Sequence, residues 1–335
     1  MTLAELAQRA LAEGISLGRL AVILESEETG IPLDEIVARV RDMVRVMKSS
    51  VSEGLGRVEA SMPVRPGVLE RARRSRSGLS GGDAAKVAGR IASGRNLPGN
   101  FLLAKSVAYA LAVSEVNAAM GKIVAAPTAG SCGVIPGTFL ALAEVSGAGE
   151  EDLVDALSAA GLIGQVIGER VGLSGAQAGC QAECGSAAAM AAAGLVQLAG
   201  GSPEDCIHAA AFALKGLMGL VCDPVAGLVE VPCVKRNATS AAVALASAEM
   251  ALSGVRSRIP PDEVISAMAQ VGKMIPPALR ETSQGGLAVT PTGLRVSREM
   301  ANRSSVCMHP MPKRPGNIEY TTLTQIRPHF DDPHR

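Results

Sequence analysis

The sequence predicts an all-α fold in which Ala- and Gly-rich helices are separated by cysteine-bearing loops. Two observations support this prediction. Apolar residues recur at helical spacing near the N-terminus, and Ala-rich segments interrupted by Gly and Pro continue to about Gly293. Alternating strand patterns are scarce. The segment 122–128 (KIVAAPT) could form a short strand, but no strong partner run accompanies it.

Two helices are predicted in the first sixty residues. The first has apolar residues at helical spacing and ends near Gly14. The second covers residues 32–52, with Pro32 at its first position and Asp34 in its first turn, which are helix-start signals. The apolar residues of this second helix form one stripe that we expect to be buried: Leu33, Ile36, Val37, Val40, Met43, Val44 and Met47.

The chain is expected to have three segments. Its 335 residues allow one large domain or two ordinary ones. We predict an N-terminal helical segment (1–60), a larger helical domain (61–297) and a polar, Pro-rich tail (298–335) that is loosely attached. A charged, Pro-containing connector at about residues 60–76 contains the basic run RARRSRS, which is typical of a solvated surface.

The composition argues against several classes of partner. Basic and acidic residues balance at 32 each, aromatic residues make up 2%, and Trp is absent, so neither nucleic acid nor an anionic membrane is an expected partner. The uncharged stretches 123–143 and 184–203 are expected to be buried, because Ala and Gly contribute little to membrane insertion. The N-terminus carries Glu5 and no apolar h-region, so we expect no signal peptide. Seven cysteines then indicate reduced thiols and a cytoplasmic location.

Three cysteines, Cys180, Cys222 and Cys233, lie in one sparsely charged region. They are 42 and 11 residues apart, so no C-x-x-C knuckle joins them. Thiols on separate rigid turns suit a cage for an iron–sulfur cluster with one corner left open, because a fully ligated cluster takes four thiolates. The alternative is that they are buried small hydrophobes, since free Cys is among the most buried residue types.

Two further cysteines are possible ligands. Cys184 follows Cys180 by four residues and shares its face if the stretch is helical, so it is the main rival for a ligand position. Cys132 could be a ligand, a nucleophile or core filler, and filler is favoured. The cations Lys235 and Arg236 come two and three residues after Cys233, where they would lower the pKa of its thiol.

Two loops of small residues are candidates for binding a ligand. The segment 77–86 (SGLSGGDAAK) offers hydroxyls and backbone N–H groups at a helix start, which suits a carboxylate, although an ordinary capped turn explains the same pattern. The segment 126–133 (APTAGSCG) adds polar side chains beside Cys132. His208 is the only histidine before the tail, and its helical context favours a core or surface histidine over a base. The sequence motifs do not support a zinc site, a dinucleotide-binding site or a nucleophile elbow of the hydrolase type.

Five motifs, in this order, closely resemble the iron–sulfur-dependent L-serine dehydratases (L-serine ammonia-lyases), specifically the alpha chain of the two-subunit form. The resemblance spans roughly residues 75–293, and the sequence beyond about residue 297 has no counterpart that we recognise. The motifs are SRSGLSGGDAAK, AVSEVNAAMGKIVAAPTAGSCGVIPG, SGAQAGCQAECGSAAAMAAAGLVQLAGG, HAAAFALKGLMGLVCDPVAGLVEVPCVKRN and PPALRETSQGGLAVTPTG.

The resemblance implies a 4Fe–4S cluster held by Cys180, Cys222 and Cys233. The open iron would act as a Lewis acid toward the serine hydroxyl during β-elimination to pyruvate and ammonia. The remaining cysteines would not be ligands: Cys132, Cys184, Cys206 and Cys307. The implied substrate-binding residues are Ser80, Gly81 and Gly82, which would hold the carboxylate, and Thr128, Ala129 and Gly130, which would line the same pocket.

Members of this family usually have a second α/β module with a Ser/His-rich loop near the active site, and nothing in this chain looks like it. We therefore expect a beta-subunit partner that supplies the general base. The weaker candidates within the chain are Lys215, Lys235, His208 and His309. Three alternative functions stay open: an L-cysteine desulfidase, a threonine dehydratase, and a non-catalytic helical scaffold whose cysteines are core filler.

Overall fold

A computed structural model describes residues 1–56, 75 and 77–306 of the chain, with side chains described as far as residue 303. Thirteen α-helices and no strand form within these ranges, which confirms the predicted all-α class. The segment 122–128 is therefore not a strand. The helices are α1 (Leu3–Glu13), α2 (Leu17–Thr29), α3 (Leu33–Gly54), α4 (Asp83–Ala92), α5 (Phe101–Ala118), α6 (Val134–Ser146), α7 (Glu150–Val171), α8 (Gly175–Ala178), α9 (Ser186–Leu198), α10 (Pro203–Leu217), α11 (Cys233–Leu252), α12 (Pro261–Met274) and α13 (Pro291–Val306).

The N-terminal helices begin and end at their capping residues. Thr2 and Glu5 form a capping box at the start of α1, and Gly14 ends that helix in the left-handed conformation at φ 65°. The helix α3 begins directly after Pro32 and runs to Gly54, two residues beyond the predicted end. Both predicted N-terminal helices are confirmed, and the structure has a third one between them, α2, which the sequence analysis did not predict.

Helix α9 lies at the centre of the core. Its residues from Ser186 to Val196 are all buried, as expected for a helix that is apolar on every side. It packs against α6, α7, α10 and α11. A Cβ added at Gly194 would lie 2.0 Å from Phe139 Cζ, so a glycine is needed where these helices approach. The Ala- and Gly-rich composition thus permits close helix packing.

The N-terminal helices share this core. Helix α2 packs on α7, while α3 packs on α5 and α7. The predicted boundary near residue 60 lies outside the described residues, and the one at 297 falls inside α13, which continues to Val306. The described structure thus shows the first nine residues of the predicted tail as helix, and residues 307–335 lie outside it.

Two stretches of the described structure, Phe101–Ala118 and Ala129–Ser146, are long and apolar enough to cross a membrane by length and composition alone. Burial inside the fold accounts for 56% of the first and 67% of the second, and buried core helices have the same composition. Both stretches that the sequence marked as buried contribute to the core, with Ile135 and Phe139 from one and Met190 from the other.

Candidate active site

The fold brings the candidate cysteines together. Cys180, Cys184 and Cys222 form one buried group, with Leu220 packed against it. Cys233 is also buried: in addition to burial, the charges of Cys180 and Cys233 raise the pKa of Cys222, and the charge of Cys180 raises the pKa of Cys233, so the three thiols are near one another. Residues that are 42 and 11 positions apart in sequence therefore share one site.

Three different backbone elements position these thiols. Cys180 precedes a single π-helical turn, Gln181–Gly185, and Cys233 is the first residue of α11. Cys222 lies in a loop whose backbone is fixed by the segment after α12: its N–H donates to Leu279 O and its carbonyl accepts from Glu281 N–H, both at 2.8 Å.

The buried side chain of Gln181 fixes the turn that follows Cys180. Its amide group donates to Met268 O at 3.0 Å and accepts from Gly219 N–H at 2.8 Å. Its own backbone N–H donates to Leu220 O at 2.9 Å. Because both ends of this amide are bonded to backbone, the Cys180 turn is held against the loop that bears Cys222.

The thiols differ in how readily they ionise. The Cys184 thiol donates to the Cys180 sulfur, which lowers the pKa of Cys180 and raises that of Cys184. The Arg236 guanidinium also favours the Cys180 thiolate. Burial raises the pKa of Cys222. Burial also raises the pKa of Cys233 to about 12; Arg236 opposes this effect but does not outweigh it, so the predicted lowering of this pKa is wrong. Within this group, Cys180 is the thiol that most readily becomes a thiolate.

The other described cysteines, Cys132 and Cys206, belong to the main hydrophobic core. Burial raises the pKa of Cys132 to about 12, and it raises that of Cys206 further. Both are therefore neutral thiols packed among apolar side chains. Cys307 lies outside the described residues.

A carboxylate that the sequence did not single out, Glu183, lies beside the thiol group. Its Oε1 accepts from Thr128 Oγ1 at 3.0 Å, and its Oε2 lies 3.8 Å from Cys222 Sγ. Burial raises the pKa of Glu183 to about 7, and the charge of Glu281 adds to this effect. The signal available in the sequence is an acid between two cysteines in an otherwise apolar segment.

The segment 77–86 contacts two further buried carboxylates. Ser77 and Ser80 each donate a hydroxyl hydrogen bond of 2.7 Å to Glu230. The backbone N–H groups of residues 82–84 donate to Glu115, at distances from 2.7 to 3.3 Å. Burial raises the pKa of Glu115, which these backbone bonds partly oppose. The helix start that suits a carboxylate thus holds a carboxylate of the chain itself.

The predicted substrate-binding residues divide into two groups. The hydroxyls of Ser80 and Thr128 and the N–H of Gly82 already donate to carboxylates of the chain. In contrast, three backbone N–H groups make no hydrogen bond to any described residue, and their residues are partly exposed: those of Gly81, Ala129 and Gly130. These N–H groups are the available donors in the two loops.

The candidate bases predicted within the chain are bonded to other groups. His208 Nδ1 accepts from Ser257 N–H at 3.1 Å, and burial lowers its pKa. Lys215 Nζ donates to Ser257 Oγ at 2.9 Å, so His208 and Lys215 both contact Ser257. Lys235 Nζ donates to Asp83 Oδ2 at 2.7 Å, at the start of α4. His309 lies outside the described residues.

Residues 1–56, 75 and 77–306 contain no group of three or more His, Cys, Asp or Glu side chains spaced to hold a metal ion. The ligand sulfurs of a cluster are farther apart than those around one ion, because each thiolate binds a different iron. The absence of a site for one metal ion among these residues therefore does not bear on whether the cysteines bind a cluster.

The fold and the site together define a helical protein in which separate loops converge on a buried group of thiols. A family model described as serine dehydratase alpha chain matches residues 12–288. The chain thus belongs to the serine dehydratase alpha chain family.

Curated relatives agree with this assignment. The probable L-serine dehydratase, alpha chain of Bacillus subtilis (strain 168) is 46% identical over 286 residues, covering 85% of this chain and 90% of that protein. The L-serine dehydratase, alpha chain of Peptoniphilus asaccharolyticus is 45% identical over 207 residues, covering 62% and 70%. The L-serine dehydratase of Streptomyces coelicolor is 38% identical over 287 residues, covering 85% of this chain but 60% of that longer protein.

Proposed function

We propose that this chain is the catalytic alpha subunit of an iron–sulfur-dependent L-serine ammonia-lyase, which converts L-serine to pyruvate and ammonia. Two relatives that are 46% and 45% identical over 286 and 207 aligned residues have L-serine dehydratase, alpha chain in their names. The observation that most supports a cluster-dependent site is that Cys180, Cys222 and Cys233 come from three separate elements, are all buried, and are near enough for their charges to interact. If the three cysteines were only buried small hydrophobic residues, they would have no reason to lie next to one another.

The residues of the site fit a 4Fe–4S cluster held by Cys180, Cys222 and Cys233. The thiols are free, and the Cys180 thiol is predisposed to ionise. A cluster bound by three thiolates would supply a Lewis acid for the substrate hydroxyl. Cys184 lies in the same buried group and hydrogen-bonds to Cys180, and we propose that it stays a neutral neighbour of the three ligands.

We assign the substrate carboxylate to backbone donors of the two small-residue loops. The N–H groups of Gly81, Ala129 and Gly130 are available, whereas the Ser80 and Thr128 hydroxyls donate to Glu230 and Glu183. Ser80 and Thr128 would therefore hold their loops in place by bonding to Glu230 and Glu183, rather than bind the substrate directly. A group that accepts the Cα proton completes the β-elimination, with the substrate hydroxyl leaving as water.

We further propose that a beta subunit supplies this proton acceptor and that the enzyme is cytoplasmic. Within the described residues, His208 contacts Ser257 and Glu204 and no residue of the thiol group. Two of the relatives carry the words alpha chain in their names. A cytoplasmic location matches the free thiols, since the cytosol keeps cysteines reduced.

The test is anaerobic reconstitution of the chain with iron and sulfide, with and without a candidate beta chain, followed by pyruvate assays on L-serine, L-threonine and L-cysteine. We expect about four irons per chain, and turnover of L-serine only when the beta chain is present. Turnover of about 10 per second by the single chain would overturn the partner proposal. Full activity without iron would overturn the cluster proposal.

A further inference from the structure

One short segment of the chain contacts both loops that carry the predicted substrate-binding residues. It comprises residues 230–237, and we call it the Cys233 segment because Cys233 lies within it. At one end is Glu230, which is 5% exposed and accepts the hydroxyl hydrogen bonds of Ser77 and Ser80. A buried carboxylate costs stability unless it is hydrogen-bonded, so these two bonds join the 77–82 loop firmly to the segment.

At the other end is Asn237, which is 1% exposed. Its side-chain oxygen accepts from Gly133 N–H at 2.8 Å, and its amide nitrogen donates to Gly130 O at 2.7 Å and to Cys233 O at 2.9 Å. One side chain therefore connects the 128–133 loop to the residue that bears a predicted ligand thiol. The contact fixes the carbonyl oxygen of Gly130, the residue whose own backbone N–H is one of the available donors.

Between these two residues, Arg236 connects the segment to the loop that bears Cys222. Its guanidinium donates to Val221 O at 2.8 Å and pairs with Asp223 Oδ1 at 2.9 Å. The Cys233 segment thus has bonded neighbours in the 77–82 loop, in the 128–133 loop and in the loop that bears Cys222, and these three loops are 46 or more residues apart in sequence.

We propose that Glu230 and Asn237 are positioning residues of the substrate site, each holding one loop at a fixed position relative to the ligand thiols. Glu230 acts on the 77–82 loop and Asn237 on the 128–133 loop. The inference rests on the proposed function for the role of the loops, whereas the attachment of each loop to its own residue is testable without activity. The backbone N–H groups that bind the substrate carboxylate have to be placed to within a fraction of an ångström. Loosening one loop therefore weakens substrate binding.

The experiment compares Glu230→Ala and Asn237→Ala with the wild-type chain and with Thr239→Ala. Thr239 is an exposed residue of α11, the helix that contains Asn237, and its hydroxyl bonds only to carbonyls of that helix, so Thr239→Ala should change neither readout. The first readout is local hydrogen exchange. Glu230→Ala should raise exchange about tenfold or more in residues 77–84 but not in 126–133, and Asn237→Ala should do the reverse.

The second readout is kinetic, on the reconstituted enzyme with its beta chain. Both variants should retain the iron of the wild type, with KM for L-serine raised about tenfold and kcat changed less. Glu230→Gln keeps an acceptor for one hydroxyl and should lie between Glu230→Ala and the wild type in both readouts. The double variant Glu230→Ala, Ser80→Ala should be no worse than Glu230→Ala, because both changes break the same contact.

Several outcomes would overturn the proposal. Exchange that rises equally in both loops and in α9 would show a general loss of stability, and iron loss in Glu230→Ala would show that the residue supports the thiols instead. An unchanged KM with unchanged exchange would also refute it. If an alanine variant does not fold, Glu230→Gln and Asn237→Ser are judged by the same exchange pattern. A wild-type enzyme without iron or activity would refute the proposed function, while the exchange pattern would still decide on loop attachment.

Discussion

Replacing Gly175 by Ala tests how tightly the protein fixes the Cys222 thiol. Gly175 is the first residue of α8, and its φ lies outside the left-handed region, so alanine fits the backbone there. A Cβ at this position would lie 2.6 Å from Cys222 Sγ, 3.0 Å from Cys222 Cβ and 3.0 Å from Glu183 Oε2. The added methyl group is therefore in collision with the thiol itself.

The size of the effect follows from these distances. Ordinary contact begins at 3.4 Å, so Cys222 Sγ has to move by about 0.8 Å relative to the backbone of α8. Metal–ligand distances tolerate only about 0.2 Å. If Cys222 is a ligand, Gly175→Ala should weaken iron retention by about 10- to 100-fold, the range typical for changes next to a metal site.

The assay measures iron and sulfide per chain and near-visible absorption after anaerobic reconstitution. Gly89→Ala is the matched control, because Gly89 is exposed on α4 and a Cβ there meets nothing within 4 Å. It should retain all the iron and be more stable by about 0.5–1 kcal/mol. Wild-type iron content and absorption in Gly175→Ala would refute the placement of Cys222 as a ligand.

Three further predictions concern stability and the cofactor. Gly194→Ala should destabilise the metal-free chain by about 1–3 kcal/mol in chemical denaturation, because its Cβ would overlap Phe139 in the core; an unchanged midpoint contradicts this packing. Burial raises the pKa of Asp155 in the folded protein above its value in the unfolded chain. The ionised carboxylate therefore lowers the free energy of unfolding at any pH above the folded-state pKa. This destabilisation disappears as the pH falls to the unfolded-state pKa, because Asp155 is then protonated in both states. Asp155→Asn should therefore be more stable than the wild type at pH 7, with a gap that narrows toward about pH 4; a gap that widens contradicts the sign. Air exposure should bleach absorption and activity together, and ferrous iron with reductant should restore both; an air-stable enzyme that survives chelation contradicts a cluster.

Much of the fold follows from local sequence signals. Thr2 and Gly14 mark the ends of α1, and Pro32 marks the start of α3, because capping and backbone geometry depend on neighbouring residues alone. The Ala-rich stretch of α9 is apolar on all sides, which predicts a buried helix without any knowledge of its neighbours. The all-α class needed only these local patterns.

The polar half of the site could not be predicted in this way. Glu115, Glu183 and Glu230 receive hydrogen bonds from donors that are 33, 55 and 150 residues away in sequence. Local rules place single acidic residues on the surface, because a lone buried carboxylate is unfavourable. Only the tertiary contacts show that Ser80 and Thr128, predicted to face a substrate, donate to carboxylates of the chain.

The most direct test of the account compares iron and sulfide content in four cysteine variants. Each variant is Cys→Ser, reconstituted anaerobically beside the wild-type chain: Cys180→Ser, Cys222→Ser, Cys233→Ser and Cys184→Ser. We predict that the first three lose the cluster, because the thiolate ligands of a cluster are few and specific, and that Cys184→Ser retains most of it. Complete cluster loss in Cys184→Ser, or full iron retention in any of the other three, would contradict the assignment of Cys180, Cys222 and Cys233 as the ligands.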